Sequence, residues 1–200
     1  MSKGENVLVC ITGKIGSGKS IVLNQYKKLG YKTLEMDNYI HSIYKPSKIG
    51  FELIKKNFGL EYVNDKGVDR KKLGQLVFKS KEMLNKLNAI TLPLIKDKIL
   101  YFKKQKGIIF IELGIYITNQ RYFNNCFDLV ILVKGKKQTT NQKLSKLAWK
   151  GNKSLVNWDV RLVKKDNILV LDNTLSINQL KTNVKKSINF IKNYSKKIVD

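Results

Sequence analysis

Gly13, Lys14, Ile15, Gly16, Ser17, Gly18, Lys19 and Ser20 spell the complete G-x-x-x-x-G-K-[ST] phosphate-binding pattern. The glycines allow backbone turns that aim successive N–H groups inward, where they and the following helix N-terminus surround phosphate oxygens. Such a loop works only between a strand and a helix, and the flanking residues fit that demand. Val7 to Thr12 is a continuous apolar run of the kind buried in parallel sheets, and Ile21 to Leu29 reads as a helix stopping at Gly30. The pattern points to a nucleoside triphosphate, with Lys19 reaching its β/γ-phosphates and Ser20 holding magnesium.

The rest of the chain is read around that unit. Two hundred residues, 42% of them apolar, suit one domain with an inserted subdomain. No apolar run is long enough to cross a bilayer, and Met1 to Asn6 lacks the apolar stretch of a secretory signal, so the sequence predicts a cytoplasmic protein without a membrane partner. Cys10 and Cys126 sit among strand-like or aromatic neighbours and read as small buried hydrophobes. With a single histidine, His41, no zinc cluster can be assembled, which leaves magnesium as the expected metal. The net charge of +24 is spread as lysine along the whole chain, with arginine only at Arg70, Arg121 and Arg161. That diffuse pattern argues against a nucleic-acid reading surface, while still favouring small polyanions.

Tyr31 to Asp37 reads as a second strand with acids at its C-terminal end, where open α/β sheets bind ligands. A long helical stretch follows, too long for one crossover; within it Asn64 to Gly67 forms a turn, Asp69 caps the next helix, and Pro93 starts a new helix running to Gly107. Ile108 to Glu112, Asp128 to Val133 and Ile168 to Leu171 supply further strands. Lys136 to Asp166 is predicted to be a polar, mostly helical and mobile segment, and Ile177, Leu180, Val184 and Ile188 mark a last amphipathic helix.

Taken in order, these landmarks resemble the dephospho-CoA kinase family over most of the chain. Thr12 to Ser20 is similar to the family's T-G-G-I-G-S-G-K-S, with Lys14 in place of a glycine, and Glu35-Met36-Asp37-Asn38-Tyr39-Ile40-His41 is similar to D-A-D-x-I-A-[RH]. Phe58-Gly59, Gly67-Val68-Asp69-Arg70, Val77-Phe78, Pro93-Leu94-Ile95 and Val170-Leu171-Asp172-Asn173 fall at the family's spacings. The resemblance implies a P-loop kinase fold: a five-stranded parallel sheet flanked by helices, with a core at 1–38, 106–135 and 159–200. It also implies a helical acceptor subdomain at 39–105 and a lid at 136–158. The implied reaction is phosphorylation of the ribose 3′-hydroxyl of dephospho-CoA by magnesium-ATP, the last step of CoA biosynthesis.

The same resemblance implies Asp37 as general base, with a helix N-cap as the alternative, and places Asn173 near the adenine, with an Asx-turn as the alternative. Glu35 stands where the family has its first acid, with help through magnesium-bound water as one reading and a solvent-facing strand-end acid as the other. His41, one turn after Asp37, is an acceptor-side candidate or an exposed surface residue. Glu112 ends a hydrophobic strand as the magnesium-coordinating acid of other P-loop proteins does, and its role stays open. In the lid, Gln138 is followed by Asn141 and Ser145 where the family carries arginines, so Lys143, Lys146 and Arg161 are the substitutes available. Two other readings remain: a nucleotide hydrolase or switch using Glu112, and a non-catalytic nucleotide- or RNA-binding protein. Oligomeric state is not readable from the sequence.

Overall fold

The computed structural model describes residues 6–135, 167–174 and 176–199. The segment expected to form a lid, 136–158, and the candidates Lys143, Lys146 and Arg161 lie outside the described residues. In chain order the elements are β1 (Asn6–Thr12), α1 (Lys19–Lys28), β2 (Lys32–Glu35), α2 (Met36–Ile43) and α3 (Ile49–Phe58). A short turn of 3₁₀ helix (Leu60–Tyr62) leads into β3 (Val63–Asn64), β4 (Gly67–Val68), α4 (Arg70–Lys79) and α5 (Lys81–Lys103). Then come β5 (Gly107–Glu112), β6 (Leu129–Gly135), β7 (Ile168–Asn173) and α6 (Ile177–Val199).

The chain divides into two compact units, with the breaks at Glu35/Met36 and Lys98/Ile99. The first is built on a five-stranded sheet in the order β2-β5-β1-β6-β7, every neighbouring pair parallel. The expected parallel sheet is therefore present, and its central strand is the one that feeds the phosphate loop. All of β1 from Val7 onward is buried, as are Ile108 to Ile111 of β5 and Leu129 to Val133 of β6. Continuous apolar runs are what strands covered on both faces require. Val7, Val9 and Ile11 point into one core with Val22, Leu23 and Tyr26 of α1 and Leu180, Val184 and Ile191 of α6. Each such aliphatic burial contributes about 1.5–3 kcal/mol. Tyr26 stacks on Phe110 with ring centroids 3.8 Å apart, and its hydroxyl pairs with that of Ser187 at 2.5 Å, so α1, β5 and α6 lock together. Cys10 and Cys126 are buried free thiols, as expected from their neighbours.

At the N-terminal edge of the sheet Asp128 serves as a hydrogen-bonding node. Its carboxylate accepts from the Leu8 N–H at 2.8 Å and pairs with Lys103 Nζ at 3.5 Å. Its own N–H donates to the Leu8 carbonyl at 3.0 Å, and its carbonyl accepts from Tyr194 Oη at 3.0 Å. Asp128→Ala strands the Leu8 N–H, and we expect a loss of about 1–3 kcal/mol, seen as a lower urea midpoint with an unchanged slope. Since the node sits at the sheet end opposite the loop, ATP affinity should be preserved.

The second unit, Met36–Lys98, has its own small core of Ile43, Tyr44, Ile54, Leu73 and Val77. The predicted turn is the β3–β4 hairpin, and Asp69 caps α4 by accepting from the Lys72 N–H at 2.9 Å, as expected. Pro93 departs from expectation. It lies inside one continuous helix, α5, and starts no new one. Proline removes one main-chain hydrogen bond and ordinarily costs about 3 kcal/mol in a helix interior. Here Leu92, Ile95 and Ile99 are buried at helical spacing on either side of it, so the apolar stripe holds the helix through the defect. Among the described residues no helix is long and apolar enough to cross a membrane.

Candidate active site

The phosphate loop leaves the C-terminal end of β1 between β5 and β6. β5 and β6 flank β1 on opposite sides, and open α/β sheets bind ligands beyond the strand ends at such a position. Gly18 holds φ 94° and ψ 22°, a left-handed conformation that turns the chain directly into α1. α1 begins without a side-chain cap and without an acid in its first turn. Its first N–H groups have no carbonyl one turn earlier, and the positive end of the helix dipole favours an anion there. Lys19 Nζ donates to the Lys14 carbonyl at 3.2 Å, which folds the ammonium back over the loop. Two buried hydroxyl oxygens at the loop, Thr12 Oγ1 and Ser17 Oγ, have no partner, the usual mark of a site that a ligand or water completes.

The structure brings Glu112 to this loop. Ser20 Oγ donates to Glu112 Oε1 at 3.4 Å, and Glu112, the last residue of β5, stands in register with Glu35, the last residue of β2. Residues paired across adjacent strands share a face of the sheet, so the two carboxylates are neighbours at the strand ends. A hydroxyl and carboxylate oxygens are the hard donors magnesium prefers. Among the described residues there is no group of three or more His, Cys, Asp or Glu side chains suited to a metal, so the protein offers part of an oxygen shell. That fits an ion carried in on a polyphosphate, which brings oxygens of its own.

Asp37 and His41 belong to the second unit. The strand predicted over Tyr31 to Asp37 stops at Glu35, and Asp37 is the second residue of α2. Met36, Tyr39, Ile40 and Ile43 recur at helical spacing, and Met36 is only 1% exposed, so burying this stripe ends the strand early. Asp37 thus lies past the cap position, exposed, at the positive end of α2. His41 follows one turn later. Partial burial lowers its pKa, the Arg70 guanidinium lowers it further, and the Asp37 carboxylate opposes both. Arg70, the first residue of α4, was marked in the sequence only among the three arginines and within a resemblance motif, and in the fold its charge acts on His41.

Because His41 is the single histidine, its imidazole can be titrated alone by NMR. We expect a midpoint below the ordinary histidine value, raised by Arg70→Met and lowered further by Asp37→Asn. Identical midpoints in the three proteins would show that these side chains do not share a field.

Asn173 ends β7, and its Nδ2 donates to the Ser17 carbonyl at 2.8 Å. The Asx-type turn considered for it forms one residue earlier, where Asp172 Oδ1 accepts from the Thr174 N–H at 2.7 Å. A side-chain hydrogen bond with Thr174, and after it this backbone bond, hold the Asp172 carboxyl below its usual pKa. Gly135, which had no motif to mark it, ends β6 in register with Asn173 and also touches Ser17.

Residues 7–152 match the family model described as dephospho-CoA kinase. The dephospho-CoA kinase of Lactobacillus acidophilus is 38% identical over 116 residues, 56% of this chain and 58% of the relative. That of Mycoplasma genitalium is 35% identical over 142 residues, 69% of this chain and 71% of the relative. A solved dephospho-CoA kinase from Campylobacter jejuni superposes with a TM-score of 0.58 at 26% identity, covering 92% of this chain and 96% of its own.

Proposed function

The chain belongs to the dephospho-CoA kinase family, and from that membership we propose that it transfers the γ-phosphoryl group of ATP to the ribose 3′-hydroxyl of dephospho-CoA. The observation that carries this reading is the loop itself. A glycine turn in a left-handed conformation, a lysine folded over it and a serine hydroxyl facing a strand-end carboxylate form a polyphosphate cradle with a place for its cation.

In the proposed reaction the 3′-oxygen forms a bond to the γ-phosphorus as the bond to the β–γ bridging oxygen breaks, and ADP leaves. Asp37 takes the proton of the attacking hydroxyl. Lys19 and the N–H groups of the loop hold the phosphate oxygens, on which charge is spread in the loose transition state. Ser20 and Glu112 would hold magnesium, with Glu35 beside them, and the ion would supply charge neutralisation on the phosphates. The unit of Met36–Lys98 is assigned to the acceptor, with His41 in the field of both Asp37 and Arg70. Lys143, Lys146 and Arg161 are assigned to the lid. We place the protein in the cytoplasm, where two free thiols stay reduced.

The test is to incubate purified protein with Mg-ATP and dephospho-CoA and to follow CoA and ADP together. One CoA per ADP, with no turnover when the acceptor is omitted, is the expected result. Inorganic phosphate released without acceptor would replace this reading with a hydrolase in which Glu112 serves the water. ATP binding without turnover would leave a binding protein.

A further inference from the structure

We infer that Asn173 is a positioning residue for the phosphate loop, acting on the polyphosphate of the nucleotide and not on its base. The inference rests on the nucleotide-binding part of the proposed function. Its starting point is the 2.8 Å bond from Asn173 Nδ2 to the Ser17 carbonyl. A carbonyl can only accept, so this bond determines which end of the Asn173 amide faces the loop. The peptide between Ser17 and Gly18 is planar and trans, and its C=O and N–H therefore point in opposite directions. Holding the Ser17 carbonyl against the end of β7 turns the Gly18 N–H away from the sheet edge, at the residue immediately before α1.

The other contacts leave that peptide little freedom. The Ser17 N–H is occupied by the Lys14 carbonyl at 3.1 Å, and the Ser17 side chain is buried. Gly135, the in-register neighbour of Asn173, lies so close to the same residue that only glycine fits, since a Cβ on it would fall 2.6 Å from Ser17 Cα and 3.0 Å from the Ser17 carbonyl oxygen. A Cβ on Gly18 would collide with Asn173 Nδ2, so glycine at that position also admits the amide. Two adjacent strand ends thus grip one peptide of the loop. A peptide already oriented needs no reordering when phosphate arrives, which is how preorganisation raises affinity.

Asn173→Asp retains the shape but replaces the donor with an oxygen aimed at a carbonyl oxygen, so it should release the peptide. Affinities are measured by displacement of a fluorescent ADP analogue with Mg-ATP, Mg-tripolyphosphate and adenosine, alongside melting temperatures. We expect Asn173→Asp to weaken Mg-ATP and Mg-tripolyphosphate by the same factor, roughly tenfold, with adenosine unchanged. Asn173→Ala should do so by a smaller common factor. Gly135→Ala, which displaces Ser17 from the other strand, should reproduce the pattern and carries the test should the Asn173 variants fail to fold. Losses for ATP and adenosine with tripolyphosphate unchanged would overturn the inference in favour of base recognition, and so would three unchanged affinities. Wild-type protein that fails to bind Mg-ATP would instead overturn the proposed function, a separate and earlier result.

Discussion

Lys19→Ala should lower kcat/KM for Mg-ATP by about 10²–10³-fold, the scale on which preorganised charge acts on a transition state. In phosphoryl transfer the protein contributes mainly position and electrostatics, so a correctly held cation weighs more than it does in a ground-state complex. The structure shows why this lysine is held: its Nζ reaches back 3.2 Å to the Lys14 carbonyl, so the ammonium is set over the loop before any ligand arrives. Alanine removes both charge and tether. Lys19→Arg should not restore activity, because a planar fork cannot occupy the place of a compact ammonium. Single-turnover measurement of CoA formation, with melting temperature as a control for folding, separates the chemical step from binding. A loss confined to KM, with the single-turnover rate intact, would confine Lys19 to binding.

Asp37→Asn should lower kcat by about 10²-fold or more, while the KM for dephospho-CoA changes little. Asparagine retains the shape and hydrogen-bonding reach of the side chain and loses only its capacity to accept a proton. A kcat within about threefold of wild type would show that the hydroxyl proton goes elsewhere and that Asp37 serves only in position, an outcome a loose transition state makes physically reasonable. The two substitutions also act on different units, Lys19 on the sheet-based one and Asp37 on the helical one, so each tests a separate half of the proposed reaction.

Whatever depends on neighbours along the chain could be read from the sequence. The phosphate loop is eight consecutive residues whose backbone conformations and side-chain chemistry are specified locally, and it appears as read, with Lys19 and Ser20 opening α1. β1, β5 and β6 were readable because burial on both faces leaves a run of β-branched and aliphatic residues that little else explains. The Asp69 cap was readable for the same local reason, since an Asp three residues before its N–H partner completes the bond by itself.

The departures share one cause. Pro93 reads as a break by its own chemistry, and burial of Leu92, Ile95 and Ile99 overrides it. Met36 and Asp37 read as extended, and burial of Met36 makes them the start of α2, two residues before the expected strand end. Strand order, which no local pattern encodes, puts β5 beside both β1 and β2 and so carries Glu112 to Ser20 across 92 residues of chain. By the same route the end of β7 delivers Asn173 to Ser17 across 156 residues. The sequence by itself determined the phosphate-loop pattern and the strand-to-helix setting it needs, because that chemistry is written in consecutive positions. Only the tertiary structure decided what stands behind the loop, because residues from β5, β6 and β7 meet it through sheet packing, a cooperative burial of surface that no short window of residues specifies.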